Sequence, residues 1–106
     1  MKGFSGNIEK LKLENDNFRQ VLYTAKHCQL VLMSLPVGGE IGSEVHEKND
    51  QFFRFESGEG KVLIDGNEYA VSDGSAIIVP AGAEHNVINI GEEPLKLYTI
   101  YSPAHH

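Results

Sequence analysis

The stretch GSAIIVPAGAEHNVIN, from Gly74 to Asn89, decides how this chain folds. Asp73-Gly74 marks a turn, Ala76-Ile77-Ile78-Val79 is a short apolar run, and Pro80-Ala81-Gly82 turns the chain again. His85 to Ile90 then enters a second extended segment. A four-residue apolar run between glycine and proline signals is too short for a helix and reads as a strand.

The same grammar extends in both directions. Upstream lie Val21-Leu22-Tyr23-Thr24 and Gln29 to Leu35, the latter closed by Pro36 and Gly38-Gly39. Gln51 to Phe55 ends at Ser57-Gly58-Glu59-Gly60, and Lys61 to Ile64 is joined to Tyr69-Ala70-Val71 by Asp65-Gly66-Asn67. Asp-Gly between two apolar runs signals a hairpin, since both residues tolerate positive φ. Leu95 to Tyr101 follows Gly91-Glu92-Glu93-Pro94. Short strands with regular turns imply an all-β sandwich or barrel in one domain, residues 1–106. Only Asn7 to Glu14, with Ile8 and Leu11, fits either period, and we read it as strand.

Two strands are apolar on both sides: Leu30 and Leu32 oppose Val31, Met33 and Leu35, and Leu95, Leu97 and Tyr101 oppose Tyr98 and Ile100. A barrel strand with a solvated outer face alternates more cleanly. The pattern therefore calls for a cover, either a second copy in a homodimer or an N-terminal strand laid over the barrel.

Composition narrows the function. With 9 basic and 15 acidic residues the net charge is −6, which disfavours a nucleic-acid or anionic-membrane surface. The single cysteine, Cys28, cannot form a disulfide within the chain and reads as a small apolar strand residue. The opening MKGFSGNIEK lacks the apolar stretch of a signal peptide, so the expected location is cytoplasmic.

Chemistry concentrates around His46 and His85, each beside a glycine-rich turn. Glu44 and His46 stand two residues apart, which places both side chains on one face of extended chain. Gln51 shares its strand face with Phe53 and Phe55, so its amide looks into an apolar interior. An unpaired polar group there costs about 1–3 kcal/mol. One cation would satisfy all these groups together. The competing reading leaves Glu44 and His46 as an exposed pair, with Gln51 and His85 hydrogen-bonded around an empty pocket. His27 reads as a surface residue. His105 and His106 read as native tail or expression remnant, outside the site. Arg54 and Glu56, alternating with the phenylalanines, should face outward.

Gly74, Pro80, Gly82, His85 and Asn89 resemble the second motif of the cupin superfamily at every defined position. Gly38, Glu44, His46, Gln51 and Gly58 reproduce the frame of the first motif, with glutamate in place of the first histidine and glutamine in place of the glutamate. The resemblance spans about residues 30–101 and implies a double-stranded β-helix, the RmlC-like jelly-roll barrel. It also implies one divalent metal ion on Glu44, His46, Gln51 and His85. Iron, manganese, nickel, zinc and cobalt all suit such mixed ligands.

The expected substrate is a small molecule, with pocket walls at Phe53, Phe55, Val87 and Ile78 or its neighbour, joined by Met33 or Tyr98. Such a metal site implies a dioxygenase, isomerase or lyase. No cluster of arginines or lysines is visible near the site, which disfavours phosphorylated sugars. Nor is there the His-Asp or Lys-Tyr pair that sugar-nucleotide epimerases of the superfamily use. The alternative is a non-catalytic module that binds a small ligand or serves as a scaffold.

Overall fold

Alternating burial runs through the central strands of the computed structural model, which describes residues 1–104. His105 and His106 lie outside the described residues. The chain forms helix α1 (Ile8–Glu14) and strands β1 (Arg19–Thr24), β2 (Gln29–Leu35), β3 (Glu44–Val45) and β4 (Asp50–Ser57). Strands β5 (Glu59–Ile64), β6 (Asn67–Ser72), β7 (Ala76–Val79), β8 (Glu84–Asn89) and β9 (Leu95–Ser102) follow. Among the described residues, no helix is long and apolar enough to cross a membrane.

Two antiparallel sheets face each other, ordered β1-β2-β9-β4-β7 and β3-β8-β5-β6. This is the double-stranded β-helix. The β5–β6 hairpin turns at Asp65 and Gly66, with φ of 46° and 84°. Only glycine and a few short polar residues adopt such values cheaply.

The segment read as strand over Asn7 to Glu14 is instead a helix. Asn7 caps it, its side chain accepting from Lys10 N at 3.1 Å. Seven residues make about two turns, and the cap satisfies one of the backbone donors left open at the start. Cys28 also departs from expectation: it is exposed, in the turn before β2 rather than within it. There its carbonyl accepts from Ala25 N at 2.8 Å.

The inner face of the five-stranded sheet is built in rungs. From one end these are Leu35 opposite Leu95, then Met33, Leu97 and Phe55, then Val31, Thr99, Phe53 and Ile77. The last rung is Gln29, Tyr101, Gln51 and Val79. Phe53, Phe55, Leu35, Leu95 and Leu97 are wholly buried, and the core thus grades from apolar to polar along the barrel.

The outer face is covered from within the chain. Lys96 Nζ donates to the carbonyls of Leu13 at 3.0 Å and Asn15 at 2.8 Å, fastening the end of α1 to β9. Lys12 pairs with Glu56 at 3.6 Å, and both side chains are nearly buried. Glu56 therefore points outward, as alternation requires, yet sits beneath the helix. Leu11 and residues 14–17 stand around Leu32, which is 2% exposed. So the N-terminal cover exists, as a helix. It leaves open a second outer row, Leu30, Ile100, Phe52 and Ile78, whose edge member Ile78 is 67% exposed.

Candidate metal centre

Two short backbone devices bring the polar groups together. Strand β3 pairs with β8 so that Glu44 lies opposite His85. The Pro80–Gly82 turn is clipped to the loop after β3 and to the start of β4, with Gly82 N donating to His46 O at 2.9 Å and Ala81 N to Asp50 Oδ1 at 2.9 Å. His46 is thereby held against β8. Its Nε2 lies 2.8 Å from Glu44 Oε2, and its ring centroid is 5.3 Å from that of His85. One ligand atom from each of Glu44, His46 and His85 lies within 4.8 Å of the other two. These three side chains can hold a metal ion.

His85 is 3% exposed, and its Nδ1 lies 3.1 Å from the carbonyl of Ala83. A carbonyl only accepts, so Nδ1 carries the hydrogen, and in the neutral ring the lone pair is on Nε2. Fixing one ring nitrogen so that the other can ligate is the usual support of a metal histidine. Phe53 closes the floor, its ring centroid 6.3 Å from that of His85.

The facing sheet supplies the other wall. Gln51, 3% exposed, donates from Nε2 to Thr99 Oγ1 at 3.0 Å. With the amide nitrogen engaged, Oε1 is left buried without a hydrogen-bond donor. Such an oxygen is what a cation needs and what an empty core disfavours. Tyr101 presents its ring edge to His46, with centroids 5.6 Å apart. Burial pushes the Tyr101 hydroxyl above its ordinary pKa and Glu44 pushes the same way, while Arg19 and Gln51 pull it back.

Of the residues singled out in the sequence, Glu44, His46 and His85 converge and Gln51 sits on the facing sheet. Phe53 borders the cluster. Phe55 and Val87 lie behind it in the closed core, both at 0% exposure. Ile77, not Ile78, faces inward. Met33 belongs to the core, whereas Tyr98 is on the outer face against Phe52, at a ring separation of 6.3 Å. His27 is exposed. A cleft of about 430 Å³ reaches His46 from outside, bounded by residues 45–49 and by Pro103 and Ala104.

Sequence reasoning missed Gln29, Thr99 and Tyr101 as polar members of this end, and missed Arg19 altogether. The strand alternation that places Gln51 inward also places Thr99 and Tyr101 there, so that signal was present. For Arg19 there was none: its positive charge, on the exposed start of β1, acts on the Tyr101 hydroxyl.

Residues 31–101 match the Cupin domain family, Cupin_2, and the chain belongs to it. It is similar to the uncharacterized protein YrkC of Bacillus subtilis, 48% identical over 99% of this chain and 60% of that protein. It also resembles protein L612 of Acanthamoeba polyphaga mimivirus, 42% identical over 94% of this chain and 65% of the viral protein. The chain spans about three fifths of the length of these relatives. A crystal structure of BH2720 from Bacillus halodurans superposes with a TM-score of 0.97 at 44% identity, covering 99% of this chain and 84% of that one. An RmlC-like cupin from Shewanella frigidimarina shares the fold, with a TM-score of 0.76 at 24% identity over 83% of this chain and 77% of that one.

Proposed function

We propose that Glu44, His46, Gln51 and His85 hold one divalent metal ion, and that the protein is a metal-dependent dioxygenase, isomerase or lyase acting on a small organic substrate. The observation that carries this reading is the buried, donorless Oε1 of Gln51 in the same barrel end as the Glu44–His46–His85 cluster. Two imidazoles, one carboxylate and one amide oxygen form a mixed nitrogen and oxygen set that suits iron, manganese, nickel, zinc or cobalt. A bound ion would polarise a substrate oxygen as a Lewis acid. The chain's own part is to keep His85 in the ligating tautomer, to exclude water with Phe53, and to orient Gln51 through Thr99.

Elemental mass spectrometry tests this on protein ending at Ala104 and purified without a metal column. Near-stoichiometric metal is expected, and it should be lost from both His46→Ala and His85→Ala while each variant stays folded. Unchanged metal in both variants would sink the assignment. No metal even after reconstitution would favour the non-catalytic ligand-binding module.

The chain is also read as a homodimer. The outer row Leu30, Ile100, Phe52 and Ile78, which α1 leaves uncovered, supports this. Analytical ultracentrifugation at micromolar concentration should show a dimer, and a clean monomer there removes the idea.

A further inference from the structure

We propose that Pro103 and Ala104 form a strap across the His46 side of the metal centre, and that the amide of Asn49 is the latch whose release opens that side. The inference deepens the metal-site reading and rests on it for what the strap admits.

The course of β9 sets the strap in place. Tyr101 pairs with Gln51 on β4 and with Gln29 on β2, and Ser102 pairs with Asp50. The chain therefore leaves the sheet at the polar end of the barrel, beside the proposed ligands. Ser102 Oγ donates to the carbonyl of His27 at 3.1 Å, which fixes the root of the strap on the β1–β2 turn. Beyond that root the ladder stops, and proline has no N–H with which to continue it. Asn49, in the loop that carries His46 and only 8% exposed, takes over. Its Nδ2 donates to the carbonyl of Pro103 and, at 3.4 Å, to that of Ala104. Among the described residues, no other group donates to either carbonyl.

The cleft of about 430 Å³ lies between this strap and residues 45–49. It leads to His46, yet that side chain is only 10% exposed and its Nε2 is buried, 2.8 Å from Glu44 Oε2. The two walls of the cleft are held unequally. His46 is fixed through its own backbone, its carbonyl accepting from Gly82 N. The opposite wall hangs on one side-chain amide. Segments held by few hydrogen bonds open first, without the rest of the fold. Lids over reactive sites work by such local opening. Val45, 44% exposed, shares the cleft lining with Pro103 and Ala104, so the strap has an apolar surface to close upon.

Diethyl pyrocarbonate, which labels imidazole nitrogens, tests the latch on the full metal-free chain, with peptide mass mapping giving the rate at each histidine. In the wild type the exposed His27 should label fastest, His46 more slowly and His85, 3% exposed, slowest. Asn49→Leu keeps the volume and removes the donor. His46 should then label about three- to tenfold faster, while His27 and His85 keep their rates. Asn49→Gln, which retains an amide donor, should recover part of the protection. Equal rates at His46 and His85 in the wild type, or a His46 rate that Asn49→Leu leaves unchanged, would overturn the proposal. So would a parallel rise at His85, which marks a loosened barrel rather than an opened strap. On manganese-loaded protein, Asn49→Leu should release the ion to a chelator faster by the same factor. The two readings fail separately: faster His46 labelling with no manganese retained by the wild type removes the metal centre alone, and retained manganese with unaltered labelling removes the strap alone.

Discussion

The two ends of this barrel are made of the same strands and differ in how completely they satisfy themselves. At the closed end, Asn89 is 3% exposed and every polar atom of its side chain is engaged. Its Nδ2 lies 2.8–3.1 Å from the carbonyls of Leu35, Pro36 and Glu93, and its Oδ1 accepts from Gly91 N at 2.9 Å. One amide thereby stitches the end of β2 to the β8–β9 loop over the apolar floor of Phe55, Leu95 and Leu97. At the open end, Gln51 is equally buried, yet its carbonyl oxygen and that of Gln29 have no donor. A buried amide can close a structure or wait for a ligand. Whether both of its ends are engaged tells which.

The largest expected effect is at the floor. Phe55→Ala should lower unfolding stability by about 3–5 kcal/mol through the cavity it leaves, with metal content per folded molecule unchanged. Chemical denaturation together with elemental analysis checks both halves. Asn89→Ala should cost about 1–3 kcal/mol, because it strands buried carbonyls, and should likewise spare the metal. Gln51→Leu should invert that pattern. It removes the donorless oxygen along with the bond to Thr99, so metal-free stability should stay within about 1 kcal/mol of wild type. Metal affinity should fall about tenfold, read by competition with a chelator. If Gln51→Leu destabilises the metal-free protein as much as Asn89→Ala, the contrast between the ends collapses. The smallest effect belongs to the outer face: Ile78→Lys should leave stability within about 0.5 kcal/mol while abolishing self-association in ultracentrifugation.

Much of this contrast could be read before any coordinates. Turn residues such as Asp65-Gly66 and Gly82 act through their own backbone conformations, so their meaning is local and survives in the sequence. Strict alternation carried Gln51 and Phe53 to the inside for the same reason. What stayed hidden was tertiary. The α1 segment is too short for its period to speak, and its helical state depends on the Asn7 cap and on Lys12 and Lys96 reaching distant partners. Arg19 comes to act on Tyr101 only when β1 and β9 are placed on either side of β2. Asn89 matched a family position, but its duty as a clasp between two loops required both to be in place.

Strand β3 is only two residues long, at the edge of its sheet, and it is preceded by Gly38, Gly39 and Gly42. Glu44 and His46 ride on this segment, while His85 is carried by the interior strand β8. Local opening follows the number of backbone bonds that must break, so the β3 amides should exchange with solvent well before those of β8. The two strands that carry this wall of the site thus belong to units of different opening free energy. An ion exchanging by fraying of β3 would leave Glu44 and His46 first and His85 last, without the barrel unfolding.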